Sequence, residues 1–282
     1  MMIEIKEKNF PNERDLYASK DLHLFSCTFK GKEDGESALK ESENIMIDDC
    51  FFDLRYPLWH DKNVTINWST FTENSRAALW YSKNIKINSS TLNGIKAVRE
   101  CEHVSLNDLT ISSPEFGWKT SQILGKNVKL VSEYAFFESK DIHFTNLEFS
   151  GKYSFQYTKN VVIENSKLDT KDCFWHAKNV TIKNSIVKGE YLAWYSENLT
   201  FINCTITGTQ PFCYCKKLKL INCTMEGCDL AFEYSDVKAD ITSSIESIKN
   251  PYKGEIKVKK VNHLIITNDS KYPNKAKIIE TN

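Results

Sequence analysis

The chain has 282 residues, with 37 Lys and Arg set against 37 Asp and Glu, ten Gly, six Pro and an aromatic share of 12%. That composition excludes a collagen-like or low-complexity chain, and the balanced charge speaks against a nucleic-acid protein, whose binding face needs a basic excess. No apolar run reaches the roughly eighteen residues of a membrane-spanning helix.

The first residues, Met1-Met2-Ile3-Glu4-Ile5-Lys6-Glu7-Lys8, contain no apolar core of a signal peptide. Nine cysteines, an odd number, then read as reduced thiols. We therefore expect a cytoplasmic protein, with residues 1–14 closing its N-terminal end.

Beyond residue 14 the chain repeats itself. Lys178-Asn179-Val180-Thr181-Ile182-Lys183-Asn184-Ser185 is followed nineteen residues later by Glu197-Asn198-Leu199-Thr200-Phe201-Ile202-Asn203-Cys204. Taking the turn residue before each apolar-x-apolar triplet as a marker gives Asp21, Asn44, Asn63, Asn84, His103, Asn127, Asp141, Asn160, Asn179, Asn198, Lys217 and Asp236. From Asp141 onward every interval is nineteen; His103 to Asn127 is 24 and Asn127 to Asp141 is 14, two periods with one displaced turn.

Apolar residues one and three places after the marker, such as Val64/Ile66 and Val180/Ile182, alternate as in a strand with one buried face. A small residue follows at six places (Cys27, Cys50, Ser69, Ser185) and a large apolar one at eight (Phe29, Phe52, Phe71, Val187). Another apolar residue stands five places before (Leu58, Leu79, Phe155, Phe174). Three short strands per repeat, stacked so that like residues meet, make a parallel β-helix. A left-handed hexapeptide helix would need a six-residue apolar period and an eighteen-residue rung, so we expect the right-handed form. The fold class is thus all-β: one single-stranded right-handed parallel β-helix, a solenoid of about twelve rungs with a 19-residue repeat, over residues 1–282. Residues 246–282 lose the period and supply closing strands, whose lysines would blunt an exposed edge.

The recurring Ser-Lys-Asn-Ile-Lys-Ile-Asn-Ser (Ser82 to Ser89), the Trp-Tyr-Ser before it and Ala231-Phe232-Glu233-Tyr234-Ser235 resemble a bacterial family of β-helical proteins defined as a domain of unknown function. The resemblance covers nearly the whole chain and implies a right-handed β-helix like that of pectate lyases. It implies no activity and no catalytic residues.

Four and three places before the markers lie Trp59-His60, Trp80-Tyr81, Arg99-Glu100, Phe137-Glu138, Gln156-Tyr157, Trp175-His176, Trp194-Tyr195, Cys213-Tyr214 and Phe232-Glu233. Lys40, Arg99 and Gln156 in the first of these columns would be costly to bury. Both columns are therefore expected at or outside a corner, as an axial aromatic ridge; Trp inward and Leu/Phe outward is the alternative the sequence leaves open. Aromatic groups beside His and Glu suit a sugar, so Trp59, His60, Trp80, Tyr81, Trp175, His176, Trp194 and Tyr195 are the ligand-binding candidates.

Three functions fit: a scaffold or binding protein taking a glycan or other extended ligand, a carbohydrate-active enzyme of lyase or hydrolase type, and a structural or self-associating protein. The enzyme reading uses Arg76, Arg99 and Glu100, where an Arg could take a proton alpha to a carboxylate, with Glu138 and Glu233 as further acids. The partner is then a carbohydrate or a second copy of the chain through the aromatic face, with neither nucleic acid nor membrane. The cysteines and the six histidines lack metal-ligand spacing, and no phosphate loop, nucleophile elbow or calcium-type acidic cluster occurs. No metal or cofactor is expected.

Overall fold

The computed structural model describes residues 2–31 and 36–281. Met1 and Asn282, the outer ends of the expected cap and closing segment, lie outside these. The described residues are all-β with no helix, and they build a parallel β-solenoid of about fourteen turns at nineteen-residue spacing. The chain forms two compact units, Met1–His143 and Phe144–Asn282.

In the first unit the strands Lys20–Phe25, Glu43–Asp48, Lys62–Asn67, Lys83–Asn88 and Glu102–Ser112 pair in parallel, each one turn on from the last. Register places Leu22, Ile45, Val64, Ile85 and Val104 in one column, as the alternation predicts. Ile3–Lys6 adds a strand before the first marker, pairing with Leu22 to Phe25, so the expected cap is itself part of the ladder. In the second unit Lys159–Glu164, Lys178–Lys183 and Glu197–Ile202 stack the same way. Lys253–Ile265 and Lys275–Glu280 continue it in parallel as closing strands.

The corners explain the Asn-rich markers. Asn44, Asn63, Asn84, Asn160, Asn179 and Asn198 all have φ of 55–59°, the left-handed region that Asn tolerates better than other side chains. Their amides then hydrogen-bond from rung to rung: Asn63 Nδ2 donates to Asn44 Oδ1 at 2.9 Å and Asn198 Nδ2 to Asn179 Oδ1 at 2.8 Å. A second corner five residues on has its own ladder, with Asn203 donating to Asn184 at 3.0 Å and Asn222 to Asn203 at 2.8 Å.

Two markers need correction. Glu102 lies opposite Ser121 and Val104 opposite Ile123, so Gln122, with φ of 57°, is the residue opposite His103. Asn127 belongs to the second corner, where its amide donates to Asp108 at 2.8 Å. No turn is displaced there; an Asn in the wrong column mimicked the marker. At the other end, Asp236 takes the extended place that Lys216 has one turn earlier, its N–H donating to Cys215 O where that of Lys216 donates to Ser196 O. Asp236 lacks the positive φ that Lys217 keeps at 54°.

The interior columns are packed as the sequence predicts. Phe29, Phe52 and Phe71 stack with centroids 4.4 Å apart and planes within 4°. In the small column Ser69 Oγ accepts from Cys50 N at 3.0 Å and donates to Asn67 O at 2.8 Å. The column needs side chains short enough to turn back onto the backbone, which Ser and Cys are. All nine cysteines are buried free thiols. Burial pushes the Cys50 and Cys101 thiols up to about 12, so they act as small apolar packing groups.

Candidate functional site

The left-handed corner three places before each marker, for example His60 at φ 65° and Tyr195 at φ 59°, turns the chain so that the residue two before it points inward. Leu58, Leu79, Phe155, Phe174 and Phe212 are fully buried. The next column is half-buried (Trp59, Trp80, Arg99, Phe137, Gln156, Trp175, Trp194), and the corner residues His60, Tyr81, Tyr157, His176 and Tyr195 are exposed. The Trp column therefore lies outside the Leu/Phe column.

In the first unit the half-buried column is one continuous stack. Lys40 Nζ lies 4.2 Å from the Trp59 centroid, Trp59 is 5.3 Å from Trp80, and the Arg99 guanidinium sits 5.5 Å from Trp80 and 5.6 Å from Trp118. Trp118 then meets Phe137 at 5.2 Å. Marking that rung at Asn127 hides Trp118; marking it at Gln122 puts Trp118 four places before. Arg99 is held by two indoles and by Glu100, Nε to Oε1 at 3.0 Å, so its charge is occupied. Partial burial would raise the Glu100 carboxyl, but Arg99 and the Tyr81 hydroxyl hold it below its ordinary range. Arg76 is exposed and stands four residues before Trp80, outside this column. Glu138 is exposed and pairs with Lys119 at 3.7 Å.

In the second unit Trp175 and Trp194 stack at 5.4 Å with planes 1° apart. Their indole N–H groups donate to Tyr191 O at 2.8 Å and Gln210 O at 2.7 Å, and Gln156 Nε2 gives the equivalent bond to Asp172 O at 3.1 Å. This bond explains how Gln can replace Trp in the column. Trp59 leaves the same N–H without a partner. Trp175→Phe should accordingly cost about 1 kcal/mol more than Trp59→Phe, the net worth of one hydrogen bond. Urea unfolding midpoints at unchanged slope measure this, and equal losses would show that the bond contributes nothing.

The corner residues of this unit form a face-to-face ladder: Tyr157–His176 at 4.9 Å, His176–Tyr195 at 5.1 Å and Tyr195–Tyr214 at 4.5 Å, all with planes within 12°. Ring faces at that spacing cover one another, since atoms in contact sit about 3.5–4 Å apart, and only edges and hydroxyls are left to a ligand. The first unit's His60–Tyr81 pair, at 5.1 Å and 13°, is covered in the same way.

After Tyr214 the ladder opens. Tyr214–Tyr234 is tilted by 53°, Tyr234–Tyr272 by 74° and Tyr252–Tyr272 by 50°. The splayed rings line a groove of about 640 Å³ with Tyr195, Lys216, Lys217, Lys253, Lys271, Glu197 and Asp236. Burial, then the charges of Tyr195 and Glu233, push the Tyr214 phenol up to about 12, so it stays a neutral donor. Glu233 does not join the exposed column. Phe232 stacks on Phe212 at 6.0 Å and takes the inward place, which leaves Glu233 half-buried against Lys249 at 3.0 Å. Tyr252 and Tyr272 come from the stretch that has lost the period, where repeat counting gives no column to put them in. Among the described residues no cluster of His, Cys, Asp or Glu is arranged to hold a metal ion.

A family model described as "Protein of unknown function (DUF3737)" matches residues 3–279. The chain belongs to the DUF3737 family. This is the β-helical domain of unknown function that the repeat motifs resemble. No curated protein matches this DUF3737 chain. Among solved structures it is similar to the A-module of the mannuronan C-5 epimerase AlgE4 of Azotobacter vinelandii, at 10% identity over 84% of this chain and 88% of that one, TM-score 0.50. It is also similar to PfbA, a surface adhesin of Streptococcus pneumoniae, at 9% identity over 88% and 82%, TM-score 0.42. The likeness is one of fold.

Proposed function

We propose that this DUF3737 protein is a β-helical binding protein that takes an extended glycan in the groove between Tyr214, Tyr234, Tyr252 and Tyr272. One observation carries the reading: the aromatic ladder, closed face to face from Tyr157 to Tyr214, splays open there around a ligand-sized groove. Splayed aromatic faces with polar tips suit the apolar faces and hydroxyls of sugar rings. Binding is favoured over hydrolysis because the groove's two carboxylates are engaged, Glu197 with Lys178 at 3.6 Å and Asp236 with Lys253 at 3.4 Å. The buried thiols, serving as packing groups, support a cytoplasmic setting as part of the same proposal.

Trp194 reports on the site, because its indole meets Tyr214 edge-on at 5.7 Å. A panel of soluble glycans, neutral and acidic, should give a saturable change in Trp fluorescence. Tyr272→Ala, at an exposed ring, and Tyr214→Ala should each weaken that binding about tenfold, as loss of an aromatic anchor does. A panel without any saturable response, or binding that survives the double substitution, would end the glycan reading.

A further inference from the structure

We propose that the groove selects an acidic glycan, one bearing carboxylate or sulfate groups, and that Lys217 and Lys271 are the residues that read its charge. The inference rests on the glycan reading above and names the class of that ligand.

The groove lining holds Lys216, Lys217, Lys253 and Lys271 against Glu197 and Asp236, four positive charges less two negative, an excess of two. The whole chain balances 37 against 37, so this excess is local. Its members are not equivalent. Lys253 is paired with Asp236, and Lys216 stands beside Glu197 in the strand register. Lys217 and Lys271 are exposed and have no carboxylate partner among the described residues.

Lys217 sits where the two preceding turns carry Asn198 and Asn179, joined by their amides at 2.8 Å. Its φ is 54°, a conformation that Asn adopts at lower cost than Lys. An Asn at 217 would fit the corner better and extend the ladder. The chain instead ends the ladder there and sets an ammonium group at the groove's rim. Lys271 approaches from the out-of-period segment, its Nζ 5.5 Å from the Tyr272 ring and its backbone N–H 3.3 Å from the Tyr234 hydroxyl. The two ammonium groups donate only, and the hydroxyls of Tyr214 and Tyr234 add O–H donors, which is what carboxylate or sulfate oxygens need.

The test is calorimetric titration of the full chain with two pairs matched in backbone and different in charge: oligogalacturonate with its methyl ester, and dextran sulfate with dextran. At least one acidic member should bind about tenfold more tightly than its neutral match, the scale set by two partly exposed charges. The gap should close as NaCl rises from about 0.05 to 0.5 M, where screening shortens. In Lys217→Asn/Lys271→Ala the gap should also close, with the Asn at 217 keeping the corner. Neutral members that bind as tightly as their acidic matches in both pairs, or a gap that survives the double substitution, overturn the inference and leave the glycan reading intact. If no member of either pair binds, both fall.

Discussion

Asp61→Ser is expected to stabilise the protein, by an amount that grows with pH. Asp61 is fully buried in a column of small side chains that includes Ser42 and Ser82. Its Oδ1 accepts from Ser42 N at 2.7 Å, but Oδ2 is buried without a partner. Burial, with the charge of Glu41 as a smaller contribution, pushes this carboxyl up to about 8 from 3.8 even though the Ser42 N–H pulls the other way. Between about pH 4 and 8 the folded chain holds a proton that the unfolded chain has released, so stability falls as pH rises, by about 1.4 kcal/mol per unit. At pH 7 the accumulated cost is roughly 4 kcal/mol.

Serine removes that cost and keeps the bonding. Elsewhere in the column Ser82 Oγ accepts from Asp61 N at 3.1 Å and donates to Leu58 O at 3.2 Å, and a Ser at 61 would find Ser42 N and Leu39 O in the equivalent places. The two proteins should have similar urea midpoints near pH 4, and Asp61→Ser should be ahead by several kcal/mol at pH 8. All other titrating groups are shared and cancel in the difference. Stability curves that run parallel from pH 4 to 8 would mean that Asp61 does not titrate as a buried acid.

How much of this could be read from the sequence depends on how far the period held. Between Asn44 and Asn84, and again from Asn160 to Asn198, one strand pattern repeated with small residues in fixed places, and the buried columns follow residue by residue. The marker failed where chemistry was ambiguous: Asn127 and Gln122 are both corner residues, and only register tells which corner. That slip hid Trp118, which completes the cation and indole stack around Arg99. At Asp236 a single-residue change in register moved Phe232 inward, which the spacing alone does not display. The Trp and Tyr columns were visible as a ridge, but a sequence says nothing about ring planes. The difference between a ladder that covers its own faces and one that opens lies in tilt angles after Tyr214. Those angles depend on Tyr252 and Tyr272, which come from the stretch without a repeat.

Phe52→Ala should be the most damaging single truncation among the interior columns of the first unit. The ring is fully buried and has a partner on both faces, Phe29 and Phe71, each at 4.4 Å with planes 4° and 1° apart. A helical or loosely packed core could relax into the space. Here the rung spacing is fixed by backbone bonds on both sides of the ring, Asp53 N to Phe29 O at 2.8 Å and Thr70 N to Cys50 O at 2.9 Å. The cavity therefore stays open, and the loss should approach the upper part of the range for buried Phe→Ala, about 4–5 kcal/mol. Phe52→Leu keeps most of the volume and should lose less, about 1.5 kcal/mol. Because each rung of a solenoid is held by its neighbours, the damage should spread along the axis rather than stay at one residue. Amide exchange should then quicken in Lys20–Phe25 and Lys62–Asn67, the strands of the turns on either side, together with Glu43–Asp48 in the turn that carries Phe52. Exchange that quickens only at residues 51–53, with a thermal midpoint close to the parent's, would show that these rungs yield one at a time and that the phenylalanine stack does not couple them.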